Sequence, residues 1–341
     1  MDFAPFDHAA AWTPQDLGGI PKLEVSLSRK HRDELLAALE QVRDLAPEAI
    51  TREVFPLTSM AEDVARWSQD VKQGRGLVFL RGMPIEGLDT DDAARLFFGL
   101  GTHFGVAVSQ SNNGEKLGHV INVGGQDPRE RAYRSARRLG MHTDRCDYVG
   151  MLCVRPAAHG GISGYSSALA VHNEILKTRP ELLAPLYRGF RLHRFGEQTD
   201  DSPLTSEPVP VFTQTDGVPN IVYIRGYINL AVNEGHYALS DIEKEALDYF
   251  DEVADREDMK LEVRLESGDA TFTNNCVLLH NRTAFEDLDD PAKARHLMRL
   301  WLMDPSLPAA ASIRAHKNMR GIEKVEGRGT YYTATGGAVL G

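Results

Sequence analysis

From Gly140 onward the chain is a succession of short strand-like runs separated by turn residues. That pattern restricts its core to a sandwich or a barrel. The runs are 148–154, 162–166, 190–194, 209–213, 219–224, 260–265, 270–273, 277–280 and 295–303. Two helical patterns interrupt them. One covers 168–186. The other starts at the capping box Ser240-x-x-Glu243 and sets Ile242, Ala246, Tyr249, Phe250 and Val253 on one face. The first hundred residues lean helical. Leu35, Leu39, Val42 and Leu45 recur at helical spacing, and Ser59 with Glu62 makes a capping-box pattern before Val64, Trp67 and Val71. Residues 76–82 read as a strand and 89–101 as another helix. The expectation is an α+β fold with a mainly β core, one domain over 1–341. It comprises a helical N-terminal elaboration at 1–75, the core at 76–304 and a surface-wrapping tail at 305–341.

Charge narrows the partners. The formal net charge is −11, which argues against a nucleic-acid backbone or an anionic membrane. A small anionic or zwitterionic substrate stays open, because one local arginine outweighs a surface field screened over about 8 Å. No apolar run approaches the roughly 18 residues of a membrane span. The start, Met1-Asp2-Phe3-Ala4-Pro5, has no basic and apolar signal pattern, and Cys146, Cys153 and Cys276 are too few for a disulfide framework. These features point to the cytoplasm. They leave homo-oligomerisation open.

Three places read His-x-Asp/Glu: His31–Asp33, His142–Asp144 and His172–Glu174. With 12 His and 49 acidic residues, chance alone supplies about two such triplets. Local geometry has to choose between them. On a helix, residues i and i+2 sit about 200° apart. The first and third triplets lie in helical patterns, so neither pair can chelate. On an extended segment i and i+2 share a face. Only His142 and Asp144 can pinch one metal ion.

A third ligand must come from a later strand. His280 ends the apolar run Val277-Leu278-Leu279. Two His and one carboxylate on one face leave open coordination positions, the arrangement that favours Fe(II) in oxygenases. The run 295–303 alternates so that Arg295, Leu297, Arg299 and Trp301 share one face. The two arginines are about 13 Å apart at 3.3 Å per residue. Turned inward, each needs an anion, which a dicarboxylate supplies. Turned outward, they are merely solvated. Ser163 adds a hydroxyl after Gly160-Gly161. Arg225, Tyr227, Gln110 and Asn112 are candidate substrate contacts, the last two in a polar stretch, 109–140, that reads as a lid closing over substrate.

Taken together, His142-Thr143-Asp144, Gly160-Gly161-x-Ser163, the segment Asn274–Thr283 around His280, and Arg295-x-x-x-Arg299 resemble a known family. It is the Fe(II)- and 2-oxoglutarate-dependent dioxygenases of the taurine dioxygenase and clavaminate synthase-like superfamily. The resemblance covers roughly 75–304. It implies a double-stranded β-helix, or jelly roll, with flanking helices. It assigns iron to His142, Asp144 and His280, and the distal carboxylate of 2-oxoglutarate to Arg295 with Ser163. Arg299 matches a family arginine that contacts cosubstrate or an anionic substrate. The implied reaction consumes dioxygen, decarboxylates 2-oxoglutarate to succinate and carbon dioxide, and oxidises a substrate C–H bond, most simply to an alcohol. Related halogenases replace the carboxylate ligand with a small residue. Asp144 therefore favours oxygen transfer, desaturation or cyclisation. The implied substrate is a small acid or amino-acid-like metabolite. Two rival readings are an iron oxidase that needs no 2-oxoglutarate and a catalytically silent jelly-roll binding module.

Overall fold

The computed structural model describes residues 3–122, 134–198 and 200–325. Its larger sheet has seven strands. Their order is Glu24–Ser26, Leu77–Arg81, Ala270–Asn274, Tyr148–Arg155, His296–Met303 and Val106–Val108, with Leu117–Ile121 also paired to His296–Met303. Only the first pair is parallel. A four-stranded sheet runs Lys260–Val263, Ser163–Ser167, Leu278–Arg282 and Leu139–His142, all antiparallel.

Alternation on the strands builds two separate apolar layers. Leu80, Leu152, Phe272, Met298, Leu300 and Leu302 leave the large sheet on one side and pack against Leu35, Leu39, Val64, Trp67 and Phe97 of the N-terminal helices. Each such side chain contributes about 1.5–3 kcal/mol by leaving water. On the other side Phe79, Cys153 and Leu297 join Tyr165, Leu278 and the helices that follow. Strand His296–Met303 is buried along its whole length, on both of its faces. Any charge it carries must find a partner inside.

The N-terminal residues do more than decorate. Glu24–Ser26 extends the large sheet, and helices Arg29–Glu40 and Ala61–Gln73 cap its face. Several details differ from the sequence expectation. The helical run 168–186 is broken into Ala168–Thr178 and Leu183–Arg188. Pro180 disfavours α geometry at Arg179, which takes φ −143° and ψ 60°, and its ring nitrogen has no hydrogen to give. Ser59 does not cap the next helix. Its backbone N–H and hydroxyl both go to the Glu34 carboxylate, and Met60 stands at the cap. The run 190–194 forms only the isolated bridges Phe190–Val209 and His193–Leu204. The tail does not simply wrap the surface, since helix Ala311–Lys317 buries Ile313 and Lys317. The box at Ser240 forms as read: the Ser240 N–H donates to Glu243 at 2.8 Å.

Packing of the helical layer on the sheet is tight enough to require a glycine. A Cβ added at Gly99, in helix Thr90–Gly101, would stand 2.4 Å from the Phe55 ring. Gly99→Ala should therefore cost about 1–3 kcal/mol as Phe55 shifts. Urea unfolding measures this, and an unchanged midpoint would mean the layer has slack.

Candidate active site

Register builds the centre of the site. Strands Leu139–His142 and Leu278–Arg282 run antiparallel with His280 directly opposite His142. Directly opposed residues in such a pair project from the same face. The two imidazole centroids lie 4.3 Å apart. Asp144 follows just past the strand end, its Oδ2 3.7 Å from His280 Nε2. One ligand atom from each of His142, Asp144 and His280 fits within 4.8 Å of the others. Asn275 fixes the approach. Its side-chain oxygen accepts from Asp144 N–H at 2.8 Å, and its amide donates to the carbonyls of Asp144 and Cys146.

The donor set suits a divalent metal. Burial, with His142 alongside, pushes His280 down to about 3, so its ring is neutral and can give a lone pair. Burial alone would raise Asp144, but Arg299 outweighs it with help from both histidines, and the carboxyl falls to about 2. The His142 Nδ1 faces the Gly140 carbonyl at 2.8 Å, which holds the proton there and leaves Nε2 free. Among the described residues His280 Nδ1 is buried without a hydrogen-bond partner.

Beside this triad is a small cavity of about 60 Å³, lined among others by Ser163, Tyr165, His280, Arg282 and Arg295. Two guanidiniums flank the Phe285 ring, each 4.8 Å from its centroid. Burial lowers Arg295 to about 10, and burial plus Arg295 lowers Arg282 to about 9. Arg282 donates to the carbonyls of Ser135 and Arg137, yet among the described residues its Nε and Nη1, like Nη1 of Arg295, have no acceptor. Unpaired N–H groups on two buried cations call for an anion. Backbone approaches closely here. Gly161 holds φ +65°, and a Cβ on it would sit 3.2 Å from Arg295 Nε. Arg282 was not among the expected site residues. The signal was available, since residues two apart on a strand share a face and His280 was already assigned.

The remaining candidates separate. Arg299 points inward as one of the two alternatives held, but its charge is committed: Nη1 lies 3.2 Å from Asp144 and Nε donates to Gln110 Oε1 at 2.8 Å. Gln110 is buried behind Arg299 and also donates to the carbonyls of Lys116 and Arg299. Asn112 donates to the Gly196 carbonyl and does not line the cavities around the triad. The stretch 109–113 is thus bonded scaffold: Ser109 pairs with Gly321, and Asn112 accepts from Val325 N–H. The expected lid's 123–133, including Arg129 and Arg131, lies outside the described residues.

Arg225 and Tyr227 do line the mouth. A cavity of about 790 Å³ opens from His142, Asp144 and Arg299 to Phe195, Arg225, Tyr227, Asp248, Asp251 and Asp255. Helix Arg225–Asn233 presents them. Arg225 is bound by Asp248 and Asp251, and Arg138 by Asp255. The Tyr227 ring stacks on Phe195 at 5.7 Å. The wall is therefore mixed in charge.

His31 and His172 stand on helices, as expected, and both have structural partners. His31 bonds Asp63 at 3.0 Å, and His172 meets the Tyr187 hydroxyl at 3.0 Å. A second cluster, His193, Glu234 and His236, also brings ligand atoms together. There His193 Nδ1 accepts from Phe195 N–H at 2.9 Å, which puts the ring proton on Nε2, facing Glu234 at 3.1 Å. A metal would have to displace that proton, so the cluster reads as a hydrogen-bonded support.

Comparison with known proteins identifies the family. The family profile described as Taurine catabolism dioxygenase TauD, TfdA family matches residues 41–301. The chain belongs to this family of dioxygenases and is an oxidoreductase. The family uses Fe(II), 2-oxoglutarate and dioxygen. The chain is similar to FR-33289 synthase of Streptomyces rubellomurinus (strain ATCC 31215), with 28% identity over 306 residues, 87% of this chain and 90% of that protein. Its fold is similar to asparagine oxygenase in complex with Fe(II), 2S,3S-3-hydroxyasparagine and succinate. The TM-score is 0.66 at 18% identity, over 82% of this chain and 93% of that one. It is also similar to the non-heme iron oxygenase OrfP in complex with Fe and alpha-ketoglutaric acid. There the TM-score is 0.58 at 15% identity, over 82% and 94%. Among the described residues no helix is long and apolar enough to cross a membrane.

Gln110 gives a clean test of placement. Gln110→Met leaves the buried Arg299 Nε without its acceptor and should cost about 1–3 kcal/mol of stability. A substrate contact would instead raise KM and leave the unfolding midpoint in place.

Proposed function

We propose that this chain is a non-haem Fe(II) and 2-oxoglutarate-dependent oxygenase that hydroxylates an unactivated C–H bond of a small amino-acid-like or acid metabolite. The reading takes the chain as one dioxygenase domain on a double-stranded β-helix. The observation that carries it is the opposed His142–His280 pair with Asp144, standing beside a small cavity whose two buried arginines keep N–H groups unpaired among the described residues. Those N–H groups favour a dicarboxylate cosubstrate over an oxidase that needs none.

His142, Asp144 and His280 would hold the iron. Arg295, with Arg282 and the Ser163 hydroxyl, would hold the distal carboxylate of 2-oxoglutarate. Iron with 2-oxoglutarate supplies oxidation of a substrate C–H bond by dioxygen, with release of succinate and carbon dioxide. The protein's part is positioning. Arg299 keeps Asp144 ionised and aimed, and Gln110 keeps Arg299 in place. Asn275 fixes the backbone under Asp144. Phe195, Tyr227 and Trp301 give the larger cavity apolar surface that sheds water around the reacting bond.

Substrate class follows from the charge of that wall. Arg225 is offset by Asp248 and Asp251, so the wall offers no simple anion trap. Both signs within one cavity suit a zwitterion. The hydroxyasparagine held by the asparagine oxygenase of similar fold supports the amino-acid-like reading.

Two measurements test the assignment. Anaerobic iron titration should show binding lost in His142→Ala and His280→Ala but retained in His31→Ala and His172→Gln. Iron retained by His280→Ala would break the triad. For the cosubstrate, Arg295→Ala should weaken 2-oxoglutarate binding by about 30- to several thousand-fold, the range for losing one partner of a buried charge pair. Arg295→Lys should rescue little, because an ammonium lacks the guanidinium fork. Unaltered 2-oxoglutarate affinity would move the carboxylate elsewhere.

A further inference from the structure

Behind the loop that carries Asp144 lies a charged cluster with no part in the reaction above. Lys317 ends helix Ala311–Lys317 and is only 2% exposed. Its ammonium donates to Asp147 Oδ1 at 3.1 Å and to Asn220 Oδ1 at 3.0 Å. Its third neighbour is the Cys276 sulfur, also at 3.0 Å. Cys276 is 1% exposed and follows Asn275, the residue that clamps Asp144.

A thiol is a weak acceptor, a poor choice for a buried ammonium that needs three good ones. The contact is also short. Other described sulfur contacts run from 3.3 Å, Cys146 to the Tyr148 carbonyl, to 3.7 Å, Cys276 to the Asp147 carbonyl. The cluster holds a further unmet group: Asn220 Nδ2 is buried with no acceptor among the described residues. A lysine ammonium and an oxidisable sulfur are therefore pressed together in a dry pocket, with a carboxylate at hand to take the proton that would free the nitrogen lone pair.

We propose that Lys317 and Cys276 form a covalent cross-link through one oxygen atom, Nζ–O–Sγ, with dioxygen as the oxidant. The ammonium first gives one proton to Asp147. The amine and thiol then react with one O2: an N–H and the S–H bond break, the O–O bond breaks, and N–O and O–S bonds form. One oxygen stays in the bridge, and the other leaves as water with the two hydrogens lost. Dioxygen takes four electrons, all from the amine–thiol pair. Two equivalents of a dithiol, each giving two electrons and two protons as it closes to a disulfide, restore amine, thiol and one water. The bridge fastens helix Ala311–Lys317 to the turn before strand Leu278–Arg282, which carries His280. Its oxygen also adds an acceptor to the cluster that contains Asn220 Nδ2.

Mass spectrometry of the full chain tests this. Protein kept in oxygen-saturated buffer should be about 14 Da heavier than the same protein treated with a dithiol, one oxygen gained and two hydrogens lost. Peptide mapping without reductant should join the Cys276 and Lys317 peptides. Cys276→Ser and Lys317→Arg should each abolish the shift and the joined peptide, while Cys146→Ser keeps both. The proposal is overturned by separate peptides bearing a Cys276 thiol or sulfinic acid, or by a joined pair about 2 Da lighter, which is a direct S–N bond. If either variant at the pair fails to fold, the wild-type map decides alone.

Discussion

A buried carboxylate facing a buried arginine organises this molecule. Asp144 and Arg299 come from distant parts of the chain, lie 3.2 Å apart and are both almost wholly withdrawn from water. Neither is affordable alone in such a place, since an uncompensated buried charge costs several kcal/mol. Together they fix the loop after strand Leu139–His142 against the middle of strand His296–Met303. That contact ties the small sheet to the large one where the two histidines meet. Gln110 and Asn275 then have their tasks set: one orients the guanidinium, the other the backbone beneath the carboxylate.

The cavity beside the triad follows a different logic. Arg282 and Arg295 flank one phenyl ring, and burial pulls both below the usual guanidinium range. Among the described residues no acidic side chain is bonded to their free N–H groups. A protein bearing such a site holds it ready for an anionic guest, and folding stability is spent on that readiness. The contrast with Arg225 and Arg138 at the mouth is informative. Those guanidiniums are already paired with carboxylates, and they shape the cavity wall.

Much of this was legible in the sequence because it depends on local period. Strand alternation put Arg295 and Arg299 on one face and left open which way it turned, and helical period removed His31–Asp33 and His172–Glu174 as chelators. The capping box at Ser240 worked for the same reason, since all its partners are three residues apart. Its counterpart at Ser59 failed because a carboxylate from another helix, Glu34, competed for the same donors. The break at Pro180 was also written locally, in a residue that cannot continue an α-helix.

What the sequence by itself determined is the set of chemically able residues and the face each occupies, because side-chain direction follows from backbone period alone. What only the tertiary structure decided is which of those residues meet. Register set His280 against His142, and no local signal encodes a pairing across more than a hundred residues. Packing turned Gln110 and Asn112 from expected substrate contacts into buried supports, and closed Arg225 with two aspartates on a neighbouring helix. It also drew Lys317 out of an expected surface tail and set it against Cys276. Such contacts depend on how distant elements share a dry interior, and that is fixed by the whole chain at once.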